Sequence, residues 1–303
     1  MITHITTAAK FSKEDIKAIF SLSEKIKSQK FNKKLLAGKV MATLFYEPST
    51  RTRLSFESAM IRLGGSVIST ENASEFSSAV KGETLEDTIR IVHSYADVIV
   101  LRHFSKGASE IASKISAVPI VNAGDGAGEH PTQALLDLFT ICENKNINGL
   151  KIAMVGDLKF GRTIHSLLKL LSLYKDVEVK LVAPNLLGLP SSLKLELSQK
   201  GLHLEESENL KDSLFRSDVL YMTRVQKERF TSEKEYKKYF GKYILTKELA
   251  RKMKKDAIIM HPLPRVNEIA PEVDKDPRAF YFMQAKNGLF VRMALLSWIF
   301  HKS

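Results

Sequence analysis

Residues 39–53, KVMATLFYEPSTRTR, contain the pattern that decides the fold of the first half of the chain. The apolar run Lys39–Tyr46 is typical of a buried strand. The turn Pro48-Ser49-Thr50 interrupts it, and Thr52–Leu63 then has the spacing of a helix that ends at a pair of glycines. A short apolar strand that leads directly into a helix predicts a parallel sheet covered by helices.

The same alternation of strands and helices continues along the chain. A polar stretch, Asn144–Gly149, separates two such series. We therefore predict an α/β fold with two domains, each a parallel β-sheet flanked by helices. Further strands are predicted at Val98–Leu101, Val118–Asn122, Lys151–Val155, Val177–Ala183, Val219–Met222 and Ala257–Met260.

The composition is that of a globular protein with an excess of positive charge. Its 303 residues include 46 Lys and Arg against 34 Asp and Glu, a formal net charge of +12. Such an excess suits nucleic acid, an anionic membrane surface or small anionic substrates. Because the lysines are scattered along the chain, we expect no nucleic-acid partner.

Cysteine content and hydropathy indicate the cellular compartment of the protein. Cys142 is the only cysteine, so the chain can form neither an internal disulfide nor a cysteine-rich zinc site. It lies in an apolar stretch, which favours a buried, inert thiol over a nucleophile. No apolar run approaches the ~20 residues that a membrane-spanning helix needs. We therefore expect a cytoplasmic protein with no membrane partner.

The turn Ser49-Thr50-Arg51-Thr52-Arg53 has the composition of an anion site. Hydroxyls and backbone N–H groups at a helix N-terminus bind anions, and an arginine adds a bidentate donor. Phosphate is the ligand that this combination suits. The alternative is an ordinary Ser/Thr helix cap beside surface arginines, which two hydroxyl–arginine pairs in one turn make less favoured.

Two further motifs combine histidine with proline. His130-Pro131-Thr132-Gln133 follows a glycine-rich loop and opens a helix, where a histidine can donate to a developing oxyanion. Met260–Arg265 follows a strand, and its two prolines fix a loop that exposes backbone carbonyls. Taken alone, each is equally compatible with a structural turn.

Arginines also follow two strands of the second series. Gly156–Arg162 lacks the G-x-G-x-x-G spacing of a nucleotide loop and has no Walker lysine, so Arg162 is rather a candidate carboxylate ligand. Thr223–Arg229 comes directly after a strand, and ligands of open α/β sheets bind beyond the carboxyl ends of strands. Taken alone, this second segment is better explained as a solvated run of charge.

Together these motifs are more specific than any of them alone. In this order and at this spacing, and with YFMQAKNGLFVRMALL at residues 281–296, the sequence resembles the catalytic chains of the aspartate carbamoyltransferase family. The resemblance implies transfer of the carbamoyl group of carbamoyl phosphate to the amine of L-aspartate, a step of pyrimidine biosynthesis. A carbamoyltransferase for another amine, such as ornithine, and a basic nucleic-acid-binding protein are the less favoured alternatives.

The resemblance also implies which residues bind each substrate. Those for carbamoyl phosphate would be Ser49, Thr50, Arg51, Thr52, Arg102, His130, Gln133, Leu263 and Pro264. Those for aspartate would be Arg162, Arg224 and Gln226. The catalytic residues, which would face the leaving phosphate and the carbonyl oxygen, would be Arg51, Thr52, Arg102 and His130.

The resemblance has further implications for assembly. Residues 1–143 with 286–303 would bind carbamoyl phosphate, and residues 144–285 would bind aspartate. Ser77 and Lys81 would reach into the site of an adjacent subunit, so the chain would form a homotrimer with shared active sites. No metal and no cofactor would be needed, and a separate zinc-binding regulatory chain is left open.

Overall fold

The computed structural model describes residues 3–72, 82–225, 232–239 and 241–302, and the chain divides into two compact units. One unit comprises Met1–Leu136 with Lys286–Ser303, and the other comprises Asp137–Ala285. This division describes how the chain packs. The functional domain limits predicted above, at residues 143 and 285, stay a prediction.

The first unit contains a parallel sheet and the helices around it. In chain order its elements are α1 (Lys13–Lys27), β1 (Val40–Phe45), α2 (Thr50–Arg62), β2 (Ser66–Glu71), α3 (Leu85–Val92), β3 (Val98–His103), α4 (Ala108–Ile115), β4 (Ile120–Asp125) and the start of α5 (Pro131–Asn144). Helix α1 begins with a capping box, in which the Ser12 side chain accepts from the Asp15 N–H and Asp15 accepts from the Ser12 N–H.

The strands of the first sheet have the order β2-β1-β3-β4, and all pairs are parallel. One face of the sheet packs Ala42, Leu44, Ile99 and Leu101 against apolar side chains of α3 and α4. The chain runs from β1 outward to β2 and then returns to the other side of β1 for β3. The carboxyl ends of β1 and β3 therefore form the switch point where open α/β sheets bind ligands.

The second unit repeats this architecture. In chain order its elements are β5 (Lys151–Val155), α6 (Arg162–Leu171), β6 (Glu178–Val182), α7 (Ser191–Gln199), β7 (His203–Ser207), α8 (Lys211–Leu214), β8 (Val219–Met222), α9 (Glu233–Tyr239), α10 (Lys247–Ala250) and β9 (Ile258–Met260). Its parallel sheet has the order β7-β6-β5-β8-β9, so its switch point lies at the carboxyl ends of β5 and β8.

The last helix, α11 (Tyr281–Lys302), contributes most of its length to the first unit. There the Trp298 ring lies 6.3 Å from that of Phe11, and the Arg292 guanidinium lies 5.0 Å from the ring of Phe56. Of the helices within the described residues, none is both long enough and apolar enough to span a membrane. The predicted class, two parallel sheets flanked by helices, is confirmed.

Candidate active site

The turn after β1 presents hydroxyls at the open end of a helix. Helix α2 begins at Thr50, two residues earlier than predicted, with Ser49 as its N-cap. Within the described part of the chain, the Ser49 side chain makes no capping hydrogen bond. The first N–H groups of a helix lack helical partners and carry partial positive charge, so this end is suited to an anion. Thr52 is buried in the first turn of the helix.

The two arginines of this turn have different surroundings. Arg51 is exposed, and no acidic side chain among the described residues pairs with it. Partial desolvation lowers the pKa of its guanidinium, which remains a cation at neutral pH. Arg53 donates instead to Glu57 at 3.3 Å and to Glu71 at 2.7 Å. Arg51 is therefore the arginine of the pair that is available to an external anion.

Arg102 lies at the end of β3, opposite Phe45 of β1, and is buried. Its Nε donates to the Glu47 carbonyl at 3.2 Å and its Nη1 to the Ala123 carbonyl at 3.3 Å, while Nη2 lies 3.4 Å from the Glu47 carboxylate. These contacts hold the guanidinium at the switch point beside the turn after β1. The sheet thus brings Arg102 to the same edge as the N-terminus of α2.

His130 and Gln133 are buried at the start of α5. The loop before them is organised by Asp125, whose two carboxylate oxygens accept from the Glu129 N–H at 2.7 Å and the Gly107 N–H at 2.8 Å. A Cβ on Gly128 would lie 2.7 Å from Asp125 Oδ1, so only glycine fits there. Asp125 was not predicted from the sequence, although its place between two glycines of the loop was an available signal.

In the second unit, Arg162 and Arg224 follow the two switch-point strands. Arg162 opens α6 after β5, and Arg224 follows β8 by two residues. Gly156 has φ of +119°, and a Cβ there would lie 2.4 Å from the Thr223 carbonyl oxygen. Only a glycine at position 156 leaves room for the loop after β5 to approach the loop after β8. This close approach places the half-buried Arg162 and Arg224 at one edge of the sheet.

The loop after β9 carries Leu263 and Pro264, whose carbonyls are the predicted ligands. Leu263 has φ of +56°, in the left-handed region that a branched side chain disfavours. Its N–H donates to His261 Nδ1 at 2.8 Å, and His261 Nε2 lies 2.8 Å from Glu268 Oε1. Against the desolvation that raises it, hydrogen bonds from His261 and from backbone N–H groups lower the pKa of Glu268 to about 2.

A second buried network was also not found from the sequence. Tyr221 donates to Asp137 Oδ2 and Gln284 donates to Asp137 Oδ1, both at 2.6 Å. Gln284 in turn accepts from the His261 N–H at 2.9 Å. Desolvation and the neighbouring Asp137 raise the pKa of Tyr221 well above its ordinary value, so its hydroxyl stays protonated.

Three predicted ligands, Ser77, Lys81 and Gln226, lie outside the described residues. Cys142 is half-buried, not buried as predicted, and partial desolvation raises its pKa to about 11, consistent with the predicted unreactive thiol. In the described ranges, no group of three or more His, Cys, Asp or Glu side chains is placed to hold a metal ion.

Models of two protein domains match nearly the whole chain. The one described as the aspartate/ornithine carbamoyltransferase carbamoyl-P binding domain matches residues 3–143. The one described as the Asp/Orn binding domain of the same enzymes matches residues 148–299.

Known proteins show the same similarity. The chain is 53% identical over 300 residues to the chloroplastic aspartate carbamoyltransferase of Arabidopsis thaliana, covering 97% of this chain and 77% of that protein. It is 52% identical to the aspartate carbamoyltransferase catalytic subunit of Clostridium kluyveri, covering 97% and 96%.

Solved structures agree with these relatives. The catalytic subunit of M. jannaschii aspartate transcarbamoylase superposes with a TM-score of 0.91 at 50% identity, covering 99% of this chain and 98% of that one. The Trypanosoma cruzi aspartate transcarbamoylase in complex with N-(phosphonacetyl)-L-aspartic acid gives 0.91 at 45% identity, covering 97% and 95%.

Proposed function

The chain belongs to the aspartate/ornithine carbamoyltransferase family, and we propose that it transfers the carbamoyl group of carbamoyl phosphate to the amino group of L-aspartate. The products are N-carbamoyl-L-aspartate and phosphate, in pyrimidine biosynthesis. One observation carries the proposal: the switch point of each sheet presents cationic donors, with an open helix N-terminus in the first unit and two arginines in the second. The resemblance inferred from the motifs is confirmed.

The phosphate of carbamoyl phosphate would lie on the N-terminus of α2. Ser49, Thr50 and Thr52 supply hydroxyls there, and the exposed Arg51 supplies a bidentate cation. As the bond between the carbonyl carbon and the phosphate oxygen breaks, negative charge builds on the leaving phosphate. Arg51 stabilises that charge because its guanidinium is not committed to a carboxylate of the described chain.

The carbonyl carbon is attacked by the neutral amine of aspartate. The carbonyl oxygen gains negative charge, which the buried side chains of Thr52, Arg102 and His130 stabilise as hydrogen-bond donors. Gln133 and the backbone carbonyls of Leu263 and Pro264 accept from the carbamoyl NH2. The tetrahedral species collapses, and the proton that the amine loses appears on the released phosphate. Positioning and charge stabilisation supply the catalysis.

Aspartate is held through its two carboxylates. Arg162 and Arg224 provide planar guanidinium groups that match carboxylates in a bidentate way, and Gln226 adds an amide donor. Ornithine has one carboxylate and a cationic side chain, which two arginines would repel. The preference for aspartate therefore follows from the charge of this edge of the second sheet.

The oligomer is part of the proposal. Three apolar side chains of the first unit are exposed, Leu54 by 50%, Ile61 by 61% and Ile68 by 42%. Two lie on α2 and the third on β2, which is an edge strand of the sheet. An exposed apolar edge favours association, in support of a homotrimer whose sites share Ser77 and Lys81.

A cytoplasmic location is likewise proposed. Its support is that the chain has a single cysteine and so cannot form an internal disulfide, as is usual for proteins of reducing compartments.

The test is carbamoyl transfer by the purified protein with aspartate and ornithine offered separately. We expect carbamoylated product with aspartate only. Arg162→Gln should raise the KM for aspartate at least tenfold, while Arg216→Gln, which changes an exposed arginine of the same unit, should not alter it. Absence of product with aspartate would refute the proposal, and product with ornithine would reassign the second substrate.

A further inference from the structure

One buried acid of the second unit touches none of the proposed substrate-binding side chains. Glu268 and His261 pair at 2.8 Å, and their side chains are 5% and 1% exposed. A buried carboxylate is costly unless its oxygens are satisfied by donors. Glu268 Oε1 faces His261 Nε2, and Oε2 accepts from the backbone N–H groups of Val266 at 3.1 Å and Asn267 at 3.0 Å.

These contacts fix the protonation of the histidine. His261 Nδ1 accepts from the Leu263 N–H at 2.8 Å, so that nitrogen carries no proton. The ring proton therefore lies on Nε2 and is donated to Glu268, an assignment made from the hydrogen-bond partners. Glu268 thus selects the tautomer whose other nitrogen can hold the backbone of Leu263.

The backbone that is held in this way is strained. Leu263 has φ of +56°, which is unfavourable for a residue with a Cβ and persists only where its surroundings impose it. Glu268 is linked to the loop on both sides of Pro264. On one side it pairs with His261, which accepts from the Leu263 N–H, and on the other it accepts from the N–H groups of Val266 and Asn267. The peptide groups between these anchors include the carbonyls of Leu263 and Pro264.

We propose that Glu268 is a positioning residue, which acts through His261 to aim the Leu263 and Pro264 carbonyls at the carbamoyl NH2 group. The inference rests on the proposed function, because it assumes that these carbonyls bind that group. A buried acid that only stabilised a turn would need to satisfy its own oxygens. It would not need to fix the histidine tautomer beneath a strained residue whose carbonyl is a ligand.

Glu268→Gln is the discriminating variant. A glutamine has the size of glutamate but offers one oxygen and one NH2 group. If the oxygen accepts from His261, the NH2 faces the N–H groups of Val266 and Asn267; if it turns, the NH2 faces the His261 N–H. Either way one side of the loop is released. Asp276→Asn is the matched control, since Asp276 holds a different loop through Arg278.

The experiment compares two ligands that differ only at the group in question. Carbamoyl phosphate carries NH2 where acetyl phosphate carries CH3, so the ratio of their dissociation constants reports the contacts to that group. We expect the parent protein to prefer carbamoyl phosphate, and Glu268→Gln to reduce this preference about tenfold with unchanged affinity for acetyl phosphate. Asp276→Asn should keep the parent ratio.

The outcomes separate the inference from the function on which it rests. A parent protein that binds both ligands equally would refute the assignment of the Leu263 and Pro264 carbonyls. A parent preference that Glu268→Gln retains would overturn the role of Glu268, and so would equal weakening of both ligands. Should the glutamine variant fail to fold, Glu268→Asp, which keeps the charge but shortens its reach, takes its place under the same criteria.

Discussion

Replacing each of the two arginines of the turn after β1 by alanine should have opposite effects: Arg51→Ala should reduce activity with little change in stability, and Arg53→Ala the reverse. Arg51→Ala removes an exposed cation that no described carboxylate pairs with, so the free energy of unfolding should change by less than about 0.5 kcal/mol. If Arg51 stabilises the leaving phosphate, carbamoyl transfer should fall by about 10²–10³-fold, the usual cost of losing one preorganised donor to a developing anion.

Arg53→Ala supplies the matched control two residues further along α2. Its side chain is 22% exposed and its guanidinium pairs with Glu57 and Glu71, so its loss should lower the free energy of unfolding by about 1 kcal/mol. Transfer by the folded fraction should change by no more than about threefold. Urea denaturation and steady-state kinetics at saturating aspartate measure both quantities. Full turnover in Arg51→Ala, or equal loss in both variants, would refute the reasoning.

Three further predictions follow from buried groups and from the proposed trimer. Tyr221→Phe removes a donor from the buried Asp137 and should lower the free energy of unfolding by about 2 kcal/mol, measured by urea denaturation. Because the pKa of Glu268 falls from 4.5 to about 2 on folding, ionised Glu268 adds about 2 kcal/mol to the free energy of unfolding, and this contribution is complete above pH 4.5. It should be lost as the pH falls from there towards 2, as denaturation at several pH values would measure. Mixing inactive Lys81→Ala and Arg51→Ala chains should restore part of the activity, because a mixed trimer contains an intact shared site.

Each of these three has a control and a contrary outcome. Tyr243→Phe, whose hydroxyl donates to the Glu208 carbonyl at 3.1 Å, should cost less than Tyr221→Phe, and an equal loss would contradict the buried network. Glu268→Gln should lose less stability in acid than the parent, since Asp274 and Asp276 keep their lowered pKa values; parallel pH curves would count against the pKa shift of Glu268. Activity that stays absent in every mixture of the two inactive chains would speak against sites shared by subunits.

Local sequence patterns were sufficient to predict most of the elements, but not the strand β7 or the helix α9. The strand β1 and the helix α2 were recognisable because apolar periodicity and turn residues act over a few neighbours. The start of α2 differed by two residues, since threonine at the first helical position resembles a cap. The placement of Arg162 and Arg224 after strands followed from the same local reasoning, whereas Arg102 was named only through the resemblance to the family.

Contacts between distant parts of the chain could not be read from the sequence. Asp137 meets Tyr221 and Gln284, which lie 84 and 147 positions away. Periodicity does not state which strands become neighbours, so it could not show that β5 lies beside β8 or that the two loops meet at Gly156. The acid that fixes the His261 tautomer was missed for another reason: its seven-residue spacing has no motif that distinguishes it from surface charge.

The central claim, coupled transfer to aspartate, is tested most directly by following the carbamoyl carbon and the phosphate in one reaction. With ¹³C-labelled carbamoyl phosphate and aspartate, nuclear magnetic resonance should show one labelled N-carbamoyl-aspartate for each phosphate released by the enzyme, and Arg51→Ala should slow both signals together. Phosphate released by the enzyme without labelled carbamoyl-aspartate would contradict the account.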